Sequence, residues 1–447
     1  MKKLLLGSTA LVAGGLMAAP AMAADPIKIG VGGYYQFFVL GGGIEGSYAL
    51  NGTSTQYKSI NFIQEGEIHF IGQSKLDNGT TVGITVELEG WNNSSTSTVV
   101  AGHARQIDEA FMFAFGDWGR IEFGSRDAAS YRMIYGAPSA LLGWGFIQHN
   151  LQWNNGPSAA ANKAYFHITD SAIAGQIQDA NRVNYFTPRF MGFQVGVGYA
   201  PKINQNATTG PGLAGGICGT LDATNSLNCP TNDYSWQDMF DVGANYLNKF
   251  GDVTVALYGA FMTATFVPGL SPLNASASLI TGANNANWKQ WNAGVQFGYA
   301  GFTVGGVIGY DNNGLGANYY TGGDNDTRYY SVGAMYETGP WQISAGWVGS
   351  YNDNGNGSGS ITGIASGTNV ATIGGAANSA AAFGTNQNIG ALAFGMESAQ
   401  KFEIGANYAL GPGIKLVGGG IYNILSGPSN AVAAQSWAVM LGLDLRF

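Results

Sequence analysis

Apolar residues recur at every second position through most of this chain. In the closing stretch SWAVMLGLDLRF, Trp437, Val439, Leu441, Leu443, Leu445 and Phe447 alternate with Ala438, Met440, Gly442, Asp444 and Arg446. A period of two predicts a strand with one apolar face and one wet face. In FQVGVGYAP, Phe193, Val195, Val197 and Tyr199 share a face opposite Gly196 and Gly198. In WNAGVQFGYAGFTVGGVIGY two such runs meet at a tight turn: Trp291 to Tyr299 leads in and Phe302 to Tyr310 leads out, with Asn292, Gln296, Thr303 and Asp311 on the other face. WQISAGWVGSY repeats the pattern, with Trp341, Ile343, Ala345 and Trp347 against Gln342, Ser344 and Ser350.

The unit of the chain is therefore strand, short turn, strand, long polar loop. Seven short turns recur, at KLDNGT, FGDWGR, TPRFMG, NKFGDV, YAGF, TGPW and LGPGI. Seven hairpins supply fourteen strands, and IKIGVGGYYQFFV and SWAVMLGLDLRF make sixteen. An even count with both ends on the short-turn side lets the first and last strands pair, which predicts an all-β, 16-stranded antiparallel transmembrane barrel. Trp118, Phe193, Tyr199, Tyr246, Tyr299, Phe302, Tyr336, Trp341 and Tyr408 fall near short turns on the apolar parity, the placement of an interfacial aromatic girdle. A secreted double-sheet sandwich, in which the aromatics would fill a core, is the competing architecture. It does not account for seven short turns alternating with long loops.

Composition supports lipid contact. Charged residues are 10% of the 447, against roughly 25% in a soluble domain, while aromatics are 12% and glycine fills 70 positions. Lys2 and Lys3, the apolar run Leu4 to Met17 and Ala21-Met22-Ala23 read as a secretory signal cleaved after Ala23, leaving residues 24–447 as one barrel domain. The formal charge is −8, and −10 without Lys2 and Lys3, which argues against a nucleic-acid partner. Cys218 and Cys229 close a short polar loop and, in an exported chain, read first as a disulfide; a two-cysteine metal site has no histidine in that loop to complete it.

The leader, the sixteen alternating runs, the ending LDLRF and segments such as EAFMFAFGDWGRIEFGSRD and NRVNYFTPRFMGFQVGVGYAP together resemble the general diffusion porins of Gram-negative outer membranes. The resemblance implies a homotrimer of barrels in outer-membrane lipid, short periplasmic turns, long external loops and a third loop folded into the pore. It also implies that Phe447 closes the barrel and marks the chain for insertion. Where that family commonly carries an Arg before the matching strand, this chain has Asp108, so the family's basic wall does not carry over.

Parity and chain direction then assign the wall of the pore. The outer halves of the early strands present Glu65, Glu67, Glu87, Glu89 and Asp108, followed by Arg126 and Arg182 with Glu122 and Asn184 nearby. The longest early loop, about Ala128 to Ala180, is the candidate constriction and carries Arg132. Charges facing each other across a narrow aqueous path set up a transverse field. Five carboxylates against the two guanidinium groups of Arg126 and Arg182 predict a mild preference for cations among the ions and small hydrophilic solutes that would pass, with Arg132 in the loop acting the other way. Trp144, Phe146 and Trp153 allow a narrower alternative, a sugar-selective channel with an aromatic slide.

Other functions find little support. His69, His103, His149 and His167 are scattered, and HExxH, GxSxG and GxxxxGK[ST] are absent, so neither an enzyme nor a cofactor site is predicted. Asp324 and Asp326 in GGDNDTRYY lack the spacing of a calcium loop. A glycan-binding module would use the many Trp and Tyr rings, but most of these share the lipid-facing parity.

Overall fold

The computed structural model describes residues 26–48, 53–54, 57–90, 107–147, 180–202, 235–267, 287–312, 327–353, 396–426 and 433–447. The expected leader, both cysteines, Trp153, Asp324, Asp326 and His103, His149 and His167 lie outside these residues.

Sixteen strands follow one another in the order read from the alternation. They are β1 (Lys28–Tyr48), β2 (Tyr57–Lys75), β3 (Thr81–Glu89), β4 (Ile107–Gly116), β5 (Gly119–Ser125), β6 (Asn181–Phe186), β7 (Phe193–Lys202) and β8 (Ser235–Phe250). The second half comprises β9 (Val253–Val267), β10 (Trp288–Tyr299), β11 (Phe302–Asp311), β12 (Thr327–Thr338), β13 (Trp341–Asp353), β14 (Met396–Gly411), β15 (Ile414–Ser426) and β16 (Ala433–Arg446). Each pairs antiparallel with its sequence neighbours, and the seven short connections are those read from the alternating pattern. Gly-containing turns suit these places because Gly79, Gly251, Gly301, Gly339 and Gly413 all take positive φ.

The sheet closes on itself. β1 pairs with β16 from Tyr34↔Arg446 to Gly46↔Ala434. Phe447 extends the seam: its N–H donates to the Gly33 carbonyl and its carbonyl accepts from the Gly33 N–H, both at 3.0 Å. A side chain at Gly33 would collide with the β2 backbone and press on the Phe447 ring, so glycine is what lets the terminus seat here. With no sheet edge left, every strand can lie in hydrocarbon with its backbone groups paired.

The faces separate as the alternation demands. Ile29, Val31, Phe37, Val39, Met112, Val195, Ile308, Ile404, Val439 and Leu441 point outward, whereas Gln36, Thr85, Asn292, Ser344 and Asp444 are buried on the inside. Near the short turns, rings pair across strands: Phe193 with Tyr246 at 4.5 Å between centroids and Phe302 with Tyr336 at 4.3 Å, both tilted, and Trp341 with Tyr408 at 4.7 Å, edge to face. Such pairs contribute about 0.5–1.5 kcal/mol beyond the area they bury. Tyr199 departs from the girdle expectation. It sits seven residues beyond its turn, pairs with Phe240 on β8, and donates its hydroxyl to Asp238 at 2.8 Å.

Deleting Phe447 removes the two bonds that finish the seam. The expected outcome is unimpaired export but a sharp loss of the assembled form, read as the heat-sensitive band on gels of unheated samples. Undiminished assembly in the deletion strain contradicts this role.

Candidate functional site

After β5 the chain turns into the barrel instead of out of it. The stretch AASYRMIYGAPSALLGWGFI is small and apolar, and Ala128, Ala129, Met133, Ala137, Ala140, Leu141, Leu142 and Ile147 are all buried. It contains one short 3-10 turn, Tyr131–Met133, and a two-residue ladder between Pro138–Ser139 and Gly145–Phe146. Irregular backbone in a buried place must find partners for its N–H and C=O groups. Here the inner wall supplies them.

The contacts run round the barrel in order. The Ser130 N–H donates to Asp241 on β8 at 2.7 Å, and the Met133 carbonyl accepts from Asn245 at 3.0 Å. The Gly136 carbonyl accepts from Gln296 on β10 at 2.6 Å. The Ala140 N–H donates to Ser344 on β13 at 2.7 Å, and its carbonyl accepts from Asn407 on β14 at 3.2 Å. The Ser139 hydroxyl bonds Glu403 on β14, itself 3.0 Å from Lys401. Arg446 on β16 donates to the Gly143 carbonyl at 3.2 Å, and Gln36 on β1 to the Leu142 carbonyl at 2.9 Å.

Glycines on the wall make room for this path. A Cβ at Gly243 would stand 2.9 Å from Ser130, one at Gly294 2.8 Å from the Tyr135 carbonyl and one at Gly333 2.6 Å from the Pro138 carbonyl, while one at Gly405 would strike the Leu141 backbone. Distances below 3 Å leave no space for a side chain. The inward-facing glycines therefore form a trench in which the segment lies.

The charged residues are concentrated near the point where the segment enters. Glu65, Glu67, Glu87 and Glu89 stand half-buried on the inner face of β2 and β3, as parity predicts. Glu67 accepts from the Tyr34 hydroxyl at 2.9 Å and pairs with His69 at 2.7 Å. Asp108 also turns inward, within electrostatic reach of Glu67, Glu87, Asp127 and Arg126. It does so with Glu109 beside it, because the β3–β4 register shifts between Val86 and Leu88. A bulge puts two consecutive residues on one face, and simple alternation, which assigns only Asp108 to the wall, misses Glu109 for that reason.

Around this ladder the guanidinium groups are tied up in pairs. Arg126 pairs with Glu109, with Glu87 at 3.7 Å and with Glu122 at 4.0 Å. Arg120 lies 2.5 Å from Glu122, which also takes Arg132 of the segment. Rings turned into the barrel back these cations: Phe113 under Arg120 at 4.4 Å, Phe111 under Arg126 at 4.5 Å and Phe186 under Arg132 at 4.8 Å. Arg182 pairs with Asp241 at 3.4 Å, and Asn184 donates to the Asp127 carbonyl at 2.8 Å. Glu122, Arg182 and Asn184 are at most 4% exposed. They hold the segment from beneath, where the parity reading puts them on the wetted wall. Burial pushes the Asp127 carboxyl above the ordinary aspartate range, with Arg126, Arg182 and Arg132 opposing.

Trp144 is not a free platform. Tyr34 meets it edge-on at 4.9 Å, and Arg446 lies 5.1 Å over its ring.

Comparison with known proteins bears on the whole chain. Residues 7–427 match the Gram-negative porin family. An uncharacterized protein of Rickettsia conorii is 24% identical over 301 residues, which span 61% of this chain and 67% of that one; one of Rickettsia felis gives the same figures. An anion-selective porin from Comamonas acidovorans superimposes with a TM-score of 0.51 at 15% identity, covering 94% of this chain and 100% of that one. A loop L8 deletion mutant of OmpT, an outer membrane protein of Vibrio cholerae, gives a TM-score of 0.50 at 11% identity over 94% and 99%. At these identities the shared feature is the fold.

Filling the trench should unseat the segment. Gly405→Leu drives a side chain into the Leu141 backbone, an overpacking that costs about 1–3 kcal/mol. Limited proteolysis of the folded barrel is expected to cut between residues 128 and 147 in this variant and not in the unmodified protein. Equal resistance would show that the trench does not hold the segment.

Proposed function

The chain belongs to the Gram-negative porin family, and from that premise we propose that it passes ions and small hydrophilic solutes down their gradients, with a mild preference for cations. A porin is an outer-membrane channel, and its transport involves no covalent step. The proposal includes a homotrimer, with the short turns facing the periplasm and the long loops outside.

One observation carries the selectivity. The hydrogen bonds of residues 130–147 run along β8 to β16 and β1, so the carboxylates of β2 to β4 line the part of the inner wall that these bonds leave uncovered. Arg120, Arg126, Arg132 and Arg182 each lie within 4 Å of a carboxylate. Cations paired this closely cancel much of their field, and Glu65, Glu67, Glu89 and Asp108 add negative charge to the same wall. A confined excess of one sign concentrates counter-ions. The similarity to an anion-selective porin is a similarity of fold at 15% identity and carries no argument about the sign of the selectivity here.

The sugar-selective alternative needs exposed rings along the constriction. Trp144 has one face under Arg446 and makes a T-shaped contact with Tyr34, which favours simple diffusion.

Zero-current potentials in planar bilayers under a KCl gradient test the proposal. The unmodified channel should favour potassium, more weakly at high salt because the Debye length falls from about 10 Å at 0.1 M to about 3 Å at 1 M. The triple replacement Glu87→Gln, Glu89→Gln and Asp108→Asn should move the potential toward anion preference. A native channel that already prefers chloride overturns the assignment of the wall.

A further inference from the structure

Within the acidic wall, three side chains form a set that sequence spacing does not reveal. Glu67 and His69 lie two residues apart on the inner face of β2, and His69 stands directly opposite Glu87 on β3. One ligand atom from each, two carboxylate oxygens and an imidazole nitrogen, lie within 4.8 Å of one another. From this geometry we infer that Glu67, His69 and Glu87 bind a first-row divalent transition-metal ion, with Zn2+ as the representative, on the wall of the pore.

The chemistry of the donors selects the ion. An imidazole nitrogen with two carboxylates suits zinc and its neighbours, whereas magnesium and calcium prefer all-oxygen shells. Four-coordinate zinc holds its ligands at about 2.1 Å, which puts neighbouring donors roughly 3.4 Å apart. His69 Nε2 and Glu67 Oε2 now stand 2.7 Å apart, so an ion would displace the hydrogen bond between them and separate them slightly, while the strand register keeps Glu87 opposite His69. The side chains of Glu67, His69 and Glu87 are 15%, 27% and 12% exposed, so the set is recessed yet open to the lumen. That leaves the fourth position to water or a passing solute.

The surroundings are those of a supported site. The Tyr34 hydroxyl donates to Oε1 of Glu67 and so fixes the carboxylate with Oε2 toward His69. Asp108 lies within electrostatic reach of both carboxylates and adds negative potential. Arg126 and Arg132 oppose the site, but Arg126, 3.7 Å from Oε1 of Glu87, has Glu109 as its closer partner, and Arg132 pairs with Glu122. An ion bound here would place two positive charges on the wall that is proposed to favour cations, so occupancy would weaken that preference.

Binding can be measured without conductance, which keeps the test separate from the transport reading. Equilibrium dialysis against ZnCl2, on folded protein in detergent with Cys218→Ser and Cys229→Ser, should show one saturable site per chain that excess Mg2+ does not displace. His69→Gln and Glu87→Gln should each weaken binding by about tenfold or more, and Tyr34→Phe by about tenfold through loss of the supporting bond. Gel mobility of unheated samples checks that each variant is folded, and either ligand variant suffices if the other fails to assemble. Absence of a saturable site, or unchanged affinity in a folded ligand variant, overturns the inference.

Discussion

A sheet in hydrocarbon cannot keep an edge, because each unpaired N–H or C=O there costs several kcal/mol with no water to compensate. The pairing of β1 with β16, completed by Phe447 against Gly33, is therefore the contact on which the rest depends. Closure fixes which residues face lipid and which face the lumen. It also gives the protein an interior that must be partly filled and partly left wet. The alternation of Trp437, Val439, Leu441, Leu443 and Leu445 with Ala438, Met440 and Asp444 is the local expression of that division at the closing strand.

The interior is then divided by one segment. Residues 128–147 cannot sit there unless their backbone groups are paired, and Asp241, Asn245, Gln296, Ser344, Asn407, Gln36 and Arg446 pair them in succession round the wall. Glycines at the same wall remove the side chains that would block the path. What remains facing the segment is the carboxylate ladder of β2 to β4, and near it the pairs that Arg126 and Arg132 make with the buried Glu109 and Glu122. Packing and electrostatics are thus set by the same choice of where the segment lies.

Much of the barrel was legible from alternation, since a period of two and seven short turns leave few other arrangements. The inward parity of Glu65, Glu67, Glu87 and Glu89 followed directly. Glu109 did not, because the bulge opposite Val86 and Leu88 breaks the alternation where Asp108 and Glu109 turn in together, and a bulge has no signature in a single sequence. The clamps were hidden for a different reason. Alternation turns Gln296 and Ser344 inward, but an inward polar residue reads the same whether it meets water or a backbone group, and only the path of the segment distinguishes the two. Glu67, His69 and Glu87 met through strand register, which spacing along the chain does not encode.

The seating of the segment on the inner wall is the claim from which the rest of the functional account proceeds, and disulfide trapping tests it most directly. With Cys218→Ser and Cys229→Ser as background, Ala140→Cys and Ser344→Cys put thiols on two residues that are adjacent in the seated segment, where the Ala140 backbone N–H donates to the Ser344 hydroxyl at 2.7 Å. The account predicts that mild oxidation links these two positions, identified by peptide mapping, and leaves the single-channel conductance equal to that of the reduced protein. Failure to form the link in folded protein, or a large change in conductance when it forms, would contradict it.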